Sequence, residues 1–473
     1  MRVSQISTTA WGLPLILILL VGADTARAQG RATETFLNQQ RAAEESIRAQ
    51  LDRELPAEQK VDFDWGGWYN GWLFHYDDGV QHRTLWRNDF RLWAGMTLDQ
   101  GAHELYARGL MSFLDWGHGD SYNCDDHDIV GPNLERGYYK FDLRNAMKAY
   151  AKQNIENNFK LEIGRDYVEF GTGYALSLPL DHVSMTAEIS KVEVTGLMAR
   201  PIHSMSDLDQ SRPTYGYADR SFWGIQTRYL GFEKHVPFAY VLWNEDQAHD
   251  PDWAWPQRFD YDSFYAGFGS KGELLKNLRY GTEWVFEQGH SYRYGGGGRA
   301  PIEAWAFDAT LEYLTQWRTR PRFIGEYMFA SGDGDRRGSP TNAIGGNTRG
   351  RDTSFVGFGY RDTGMSFAPL LSNIHIWRLG ASFIPFDGTD FLDKLELGTD
   401  WYLYWKQHRQ GAVSDATADE QSGYLGWEMD YFANWRLTSD LSLTLRYGLF
   451  FPGSAFSDEE YRSFFLTGVT WSF

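Results

Sequence analysis

The sequence predicts an all-β protein: a transmembrane antiparallel β-barrel of eighteen strands, with sixteen as the alternative count, and a short N-terminal periplasmic helix. Three observations predict it. The chain ends in an alternating, aromatic-tipped strand, Ser463 to Phe473. Connections between strands segregate by length, short and long in turn. Aromatic residues are in excess and gather at strand ends, as in Trp65, Trp68, Trp72, Trp401, Trp405 and Trp471.

The chain opens with an export signal. Arg2 supplies the positive start, and the apolar run Leu13 to Gly22 is too short to cross a bilayer as a helix. Ala26-Arg27-Ala28 is a cleavage motif, so residues 1–28 read as a signal peptide. No cysteine follows it to carry a lipid. Residues 29–60 form an N-terminal periplasmic extension. Within it, Leu37, Ile47, Leu51 and Leu55 recur near i, i+4, and Pro56 ends a helix over 31–57. That helix is the expected docking point for a periplasmic partner.

From Val61 to Phe473 the pattern is strand throughout. Alternating segments lie near 61–76, 83–97, 102–116, 137–150, 157–166, 181–189, 192–200, 220–233 and 235–244. Nine more lie near 259–269, 277–288, 300–314, 321–331, 371–384, 394–408, 423–436, 440–451 and 460–473. Every second connection is tight, such as Ser190-Lys191 or Leu437-Thr438-Ser439. Those between are mostly long, the longest being 332–370. Tight periplasmic turns and long outer loops produce this parity in a membrane barrel; a soluble sandwich has no reason for it.

Within strands the charges share one face. Arg87, Asp89 and Arg91 alternate with Trp86, Phe90 and Leu92; Glu428 and Asp430 alternate with Trp427, Met429 and Tyr431. The apolar face is assigned to lipid and the charged face to a wet lumen. For the last strand this sends Phe465, Thr467, Val469, Trp471 and Phe473 outward.

Composition narrows the function. Asp plus Glu number 63 against 45 Lys plus Arg, a net charge of −18, which excludes nucleic acid as a partner. The lone cysteine, Cys124, excludes a disulfide framework and a Cys-based zinc site, and no cofactor is expected. No nucleophile motif accompanies the histidines, so the chain does not read as an enzyme.

Several short motifs resemble the alginate export family of outer-membrane proteins. Gly426-Trp427-Glu428-Met429-Asp430 looks like its G-x-E-x-D strand. Gly448-Leu449-Phe450-Phe451-Pro452-Gly453-Ser454-Ala455-Phe456 looks like its G-L-F-x-P-G-x-A-aromatic strand end. Leu161 to Asp166 is similar to its G-R-Q strand, with Asp166 in place of the Gln, and Tyr327 to Asp335 to its Y-x-x-A-S-G-x-G segment. The resemblance implies an eighteen-stranded monomeric channel passing an anionic polysaccharide through an Arg-lined lumen. The lumen inferred here is mixed in sign, which does not predict a strongly anion-selective funnel.

The pore-lining and substrate candidates are Arg87, Arg91, Arg108, Lys140, Arg144, Lys160, Arg165, Arg228, Arg279, Arg322, Arg378, Glu428, Asp430 and Arg446. Most are expected to pair across strands. Arg144, Arg165, Arg279 and Arg446 are the candidates for an unpaired constriction ring, since a guanidinium grips carboxylates through two parallel bonds. Two acidic loops are weak Ca²⁺ candidates, Asp125, Asp126 and Asp128 in one and Asp333 and Asp335 in the other. The expected function is passive passage of a hydrophilic solute of the anionic poly- or oligosaccharide class, with a general or small-solute porin, or a structural barrel sheathing a threaded partner, as the alternatives; the expected partners are outer-membrane lipid, that solute, and the barrel-assembly machinery reading the C-terminal strand. The expected location is the outer membrane of a Gram-negative-type bacterium.

Overall fold

The structure is a computed structural model that describes residues 61–79, 81–121, 126–202, 219–247, 259–296, 298–337, 346–389 and 391–473. The helix expected over 31–57 lies outside the described residues.

Eighteen strands form one sheet. They are β1 (Val61–Asp77), β2 (His82–Leu98), β3 (His103–Trp116), β4 (His127–Asp142), β5 (Asn158–Phe170), β6 (Leu176–Ile189), β7 (Val192–Pro201), β8 (Arg220–Tyr229) and β9 (His235–Asp246). They continue as β10 (Asp262–Leu275), β11 (Leu278–Tyr292), β12 (Arg299–Leu314), β13 (Arg322–Ala330), β14 (Ile374–Phe383), β15 (Leu395–Lys406), β16 (Tyr424–Arg436), β17 (Leu441–Pro452) and β18 (Arg462–Ser472). Each pairs antiparallel with its sequence neighbours, and β1 also pairs with β18, closing the barrel. Closure removes the two edges whose unpaired N–H and C=O groups lipid could not satisfy. The terminal residue completes the seam: Gly67 donates to the Phe473 carbonyl at 3.0 Å, and Phe473 donates back at 2.9 Å.

The two-residue period assigns the faces. Trp86, Leu92, Trp377 and Trp471 are exposed on the outside, whereas Asp89, Glu283 and Glu428 are 0% exposed inside. The aromatic outer surface packs within itself, with Trp284 stacked on Trp305 at 5.6 Å and Trp427 on Phe451 at 4.5 Å. Among the described residues no helix is long and apolar enough to cross a membrane.

Several boundaries differ from expectation, among them the ends of β4, β5, β6, β8 and β10. β4 covers Asp142 back to His127, and the residues after it leave the strand for a short helix, α1 (Leu143–Ala146), that widens into a π turn over Met147–Ala151. Asp142 caps it by accepting from the Asn145 N–H at 3.0 Å. Such a cap is invisible to alternation. The connection between β5 and β6 shrinks to residues 171–175, because both strands run on past the expected ends.

Candidate functional site

The connection from β13 to β14 enters the barrel rather than projecting from it. Phe358 makes a parallel bridge to Leu176, donating to the Ala175 carbonyl at 2.9 Å and accepting from Ser177 at 3.1 Å. Its root lies half a circumference from β4 and β5 in the eighteen-strand ring. Phe355, Phe358 and Phe367 are buried in one cluster with Phe222, Tyr265, Tyr404 and Phe450 of the wall. Met365 reaches a second cluster formed by Trp72, Phe74, Phe464 and Leu466 near the seam. The connection is therefore a strap across the lumen, packed on several walls.

Wall carboxylates pin the strap. Glu428 accepts from the backbone N–H groups of Met365 and Ser366 at 2.6 Å each, from Phe367 at 2.9 Å, and from the Tyr404 hydroxyl at 3.1 Å. Glu287 accepts from the Val356 N–H at 2.9 Å. Arg361 of the strap donates to Asp308 of β12 at 2.7 Å and to the Thr172 hydroxyl. Burial opposes the charge on Arg361, but Asp308, Glu326 and Glu283 outweigh it and hold its proton more tightly than usual. Asp362 of the strap meets Arg378 at 3.0 Å, and Arg378 also binds Asp400 at 2.9 Å and Glu326 at 3.3 Å. Gly364, at φ +108°, makes the bend possible: a side chain there would stand 2.5 Å from the Tyr404 hydroxyl and 2.9 Å from the Glu428 carboxylate.

Two further outer connections fold toward the wall. Glu283 accepts from the Thr172 N–H at 2.7 Å and from the Tyr240 hydroxyl at 2.5 Å. In the connection between β15 and β16, Asp415 is buried against Arg462 at 2.6 Å. Burial raises the Asp415 carboxyl, but Arg462 and the Thr417 hydroxyl and N–H outweigh it, leaving it below the ordinary range.

On β2 to β5 the inward cations form a ladder threaded with acids. Arg87 binds Asp89 at 2.8 Å; Arg91 binds Glu135 at 3.0 Å; Arg108 binds the same Glu135 at 2.8 Å. Arg136 pairs with Asp166, and Lys140 reaches Glu162 at 3.4 Å. Toward the tight-turn side, periplasmic by the rule for such barrels, the pairs are more open. Lys160 and Arg144 share Glu188, Arg228 pairs with Glu193, and Arg279 and Arg322 share Glu312. Two cavities accompany them. One, of 190 Å³, is lined by Arg322, Arg378, Arg446, Asp362, Glu396 and Asp400. The other, of 520 Å³, lies by Lys234, Lys271, Glu273, Arg279 and Glu312 at the periplasmic mouth.

The sequence candidates sort accordingly. Arg87, Arg91, Arg108, Lys140, Lys160, Arg228, Arg279, Arg322, Arg378, Glu428, Asp430 and Arg446 lie on inward positions of the strands. Arg165 does not. It sits on the outward face of β5, where it binds Asp181 of β6 at 2.6 Å. The alternation that sends Glu162 and Asp166 inward sends Arg165 out. Arg144 lies on α1 at the periplasmic turn, donating to Glu188 at 2.9 Å. Arg279 is within 3.8 Å of Glu312, and the Arg446 guanidinium stands 5.7 Å over the Phe432 ring. The expected unpaired ring of Arg144, Arg165, Arg279 and Arg446 does not form: the four stand at different places, Arg144, Arg165 and Arg279 each beside an acid and Arg446 in the cavity it shares with Asp362, Glu396 and Asp400. Glu428 and Asp430 line no open water; they lie beneath the strap.

Among the described residues neither acidic loop gathers a ligand set. Asp126 is engaged by His118 at 3.2 Å, which holds its carboxyl below the usual range, and Asp128 lies on β4. Asp125 is outside the described residues. Asp333 and Asp335 both accept from the Asn347 amide, at 2.6 and 2.9 Å. Among the described residues no group of three or more His, Cys, Asp or Glu could hold a metal ion.

The sequence reading missed Arg136, Arg336, Arg361 and Arg462. Arg361 and Arg336 lie in an aperiodic loop, where alternation gives no face. Arg136 was hidden because the start of β4 reads as loop. Arg462 was legible, sharing the inward parity of Phe464 and Leu466.

A closed, eighteen-stranded barrel with a charged interior and an aromatic outer belt is an outer-membrane channel architecture. The family model for alginate export matches residues 84–465, and the chain belongs to that family. Solved structures share the fold. The crystal structure of Pseudomonas aeruginosa OccK8 (OprE) superposes with a TM-score of 0.55 at 10% identity, covering 87% of this chain and 98% of that one. The Pseudomonas aeruginosa outer membrane protein OpdK gives 0.50 at 13% identity over 87% and 99% of the two chains. The OpdK structure with vanillate gives 0.53 at 13% over 87% and 98%. No curated protein matches the sequence.

Proposed function

We propose that the barrel is a passive channel for a hydrophilic, anionic poly- or oligosaccharide. The observation that carries this reading is the ladder of Arg87, Arg91, Arg108, Arg136 and Lys140 on β2 to β5, half a turn from the root of the strap. Arg91, Arg108 and Arg136 are buried against their acids, so a passing carboxylate feels their field and meets directly the more open Arg87 and Lys140. The interleaved acids keep each site weak enough to leave. Membership of the alginate export family supports the solute class. On this reading residues 1–28 direct export, 29–60 face the periplasm, and the assembly machinery reads β18.

The strap favours a second reading, a channel for small carboxylated solutes, because it narrows the lumen. A fold neighbour solved with vanillate is in keeping with it. Single-channel recording separates the two. Block of the current by long oligouronates, with none from neutral oligosaccharides of equal length, is the result expected for saccharide passage. Block by small aromatic carboxylates alone would favour the second reading.

A further inference from the structure

We propose that the three consecutive backbone N–H groups of residues 365–367 form a carboxylate-binding site, held by Glu428 in the closed barrel, from which a carboxylated saccharide displaces Glu428 and frees the strap. This rests on the passage reading above and adds a mechanism to it.

The site is built and is seen holding a carboxylate. Both Glu428 oxygens are engaged, two N–H groups on one and the third on the other. Row-like N–H groups of this kind bind anions whatever molecule carries them. Nothing in the contact is specific to Glu428 beyond its reach from β16.

The lock is also weakened from within. Asp430 lies two residues along the same inward face, 1% exposed. One of its oxygens, Oδ1, is buried without a hydrogen bond, as is the Ser366 hydroxyl. Two neighbouring buried carboxylates oppose each other's charge, and the hydrogen bond they share offsets only part of that cost. Withdrawing the strap would return both to water. A soluble carboxylate can therefore compete for the N–H row, since release hydrates Glu428 and Asp430 together.

Access comes from the periplasmic side. The 190 Å³ cavity lined by Arg322, Arg378 and Arg446 also includes Asp362, three residues before Met365 in the strap. Its volume equals about six water molecules, room for one sugar ring. A uronate there has guanidinium partners beside it and the N–H row one bend away.

Two variants test the proposal in planar bilayers. Glu428→Gln keeps the shape but removes the charge, and should raise the fraction of time in the open state by about tenfold, the worth of one charged hydrogen bond. Ser366→Cys with Gly448→Cys, in a Cys124→Ser, Asp430→Ala background, should staple the strap to β17: a Cβ on Gly448 stands 2.7 Å from the Ser366 Oγ, and the alanine removes the Asp430 carboxylate that would otherwise stand 2.6 Å from it. Oxidised, this form should stay closed and ignore hexauronate; reduced, it should open in response to it. A Glu428→Gln current equal to the parent's, together with an oxidised form that opens normally, would overturn the lock. Raised ion current in Glu428→Gln with no oligouronate flux in any form would overturn the passage reading and leave the lock standing.

Discussion

Arg361→Ala probes how tightly the strap is held. Arg361 carries the ionic contact from the strap to Asp308, whose side chain is 1% exposed. Removing the guanidinium leaves that carboxylate buried without its partner. Breaking such a pair costs about 3–5 kcal/mol. Urea unfolding in lipid vesicles, followed by tryptophan fluorescence, measures it; proteolysis of the strap shows whether the loss is local or global. Arg361→Lys should recover part of the deficit, losing the reach to Thr172. A deficit under about 1 kcal/mol would refute a buried ionic anchor.

Three further outcomes follow from the geometry. The connection holding Asp415 should stay docked at neutral pH and release in acid. Its carboxyl lies below the ordinary range in the folded protein, so its contribution is complete above the unfolded value and is lost as pH falls through the lower folded one; a fluorophore on Ala416→Cys, an exposed neighbour, in a Cys124→Ser background reports the release. Arg165→Ala should leave ion selectivity as it is, since that side chain faces out, whereas Arg87→Gln should shift the reversal potential in a salt gradient toward cations. Deleting Phe473 removes both hydrogen bonds to Gly67, at about 1–3 kcal/mol of seam stability, and should cut the yield of folded barrel measured by heat-modifiable gel mobility.

The barrel was legible because its signal is repeated. Period-two alternation recurs in strand after strand, and Phe473 anchors its phase, so Arg87, Asp89 and Arg91 could be turned inward together. Arg165 shows how fragile that phase is: one position separates a lumen residue from a lipid-facing one, and Asp166 beside it is buried inside. Alternation also says nothing where the chain is aperiodic. The strap supplies Arg361, Asp362 and the N–H row of residues 365–367, and no residue-level pattern in 331–373 marks it as entering the lumen. Alternation alone sends Glu428 and Asp430 toward water for the same reason. Their parity is inward, but inward at that height means beneath the strap. The fold follows from one-dimensional patterning; the site depends on which loop returns to which wall.

The most direct measurement is efflux of a fluorescent oligouronate from vesicles reconstituted with the channel, compared with a neutral oligosaccharide of the same length. Retention of the neutral probe with release of the uronate, slowed by Arg87→Gln, is the predicted result. Equal release of both, or of neither, would contradict a channel for anionic saccharides.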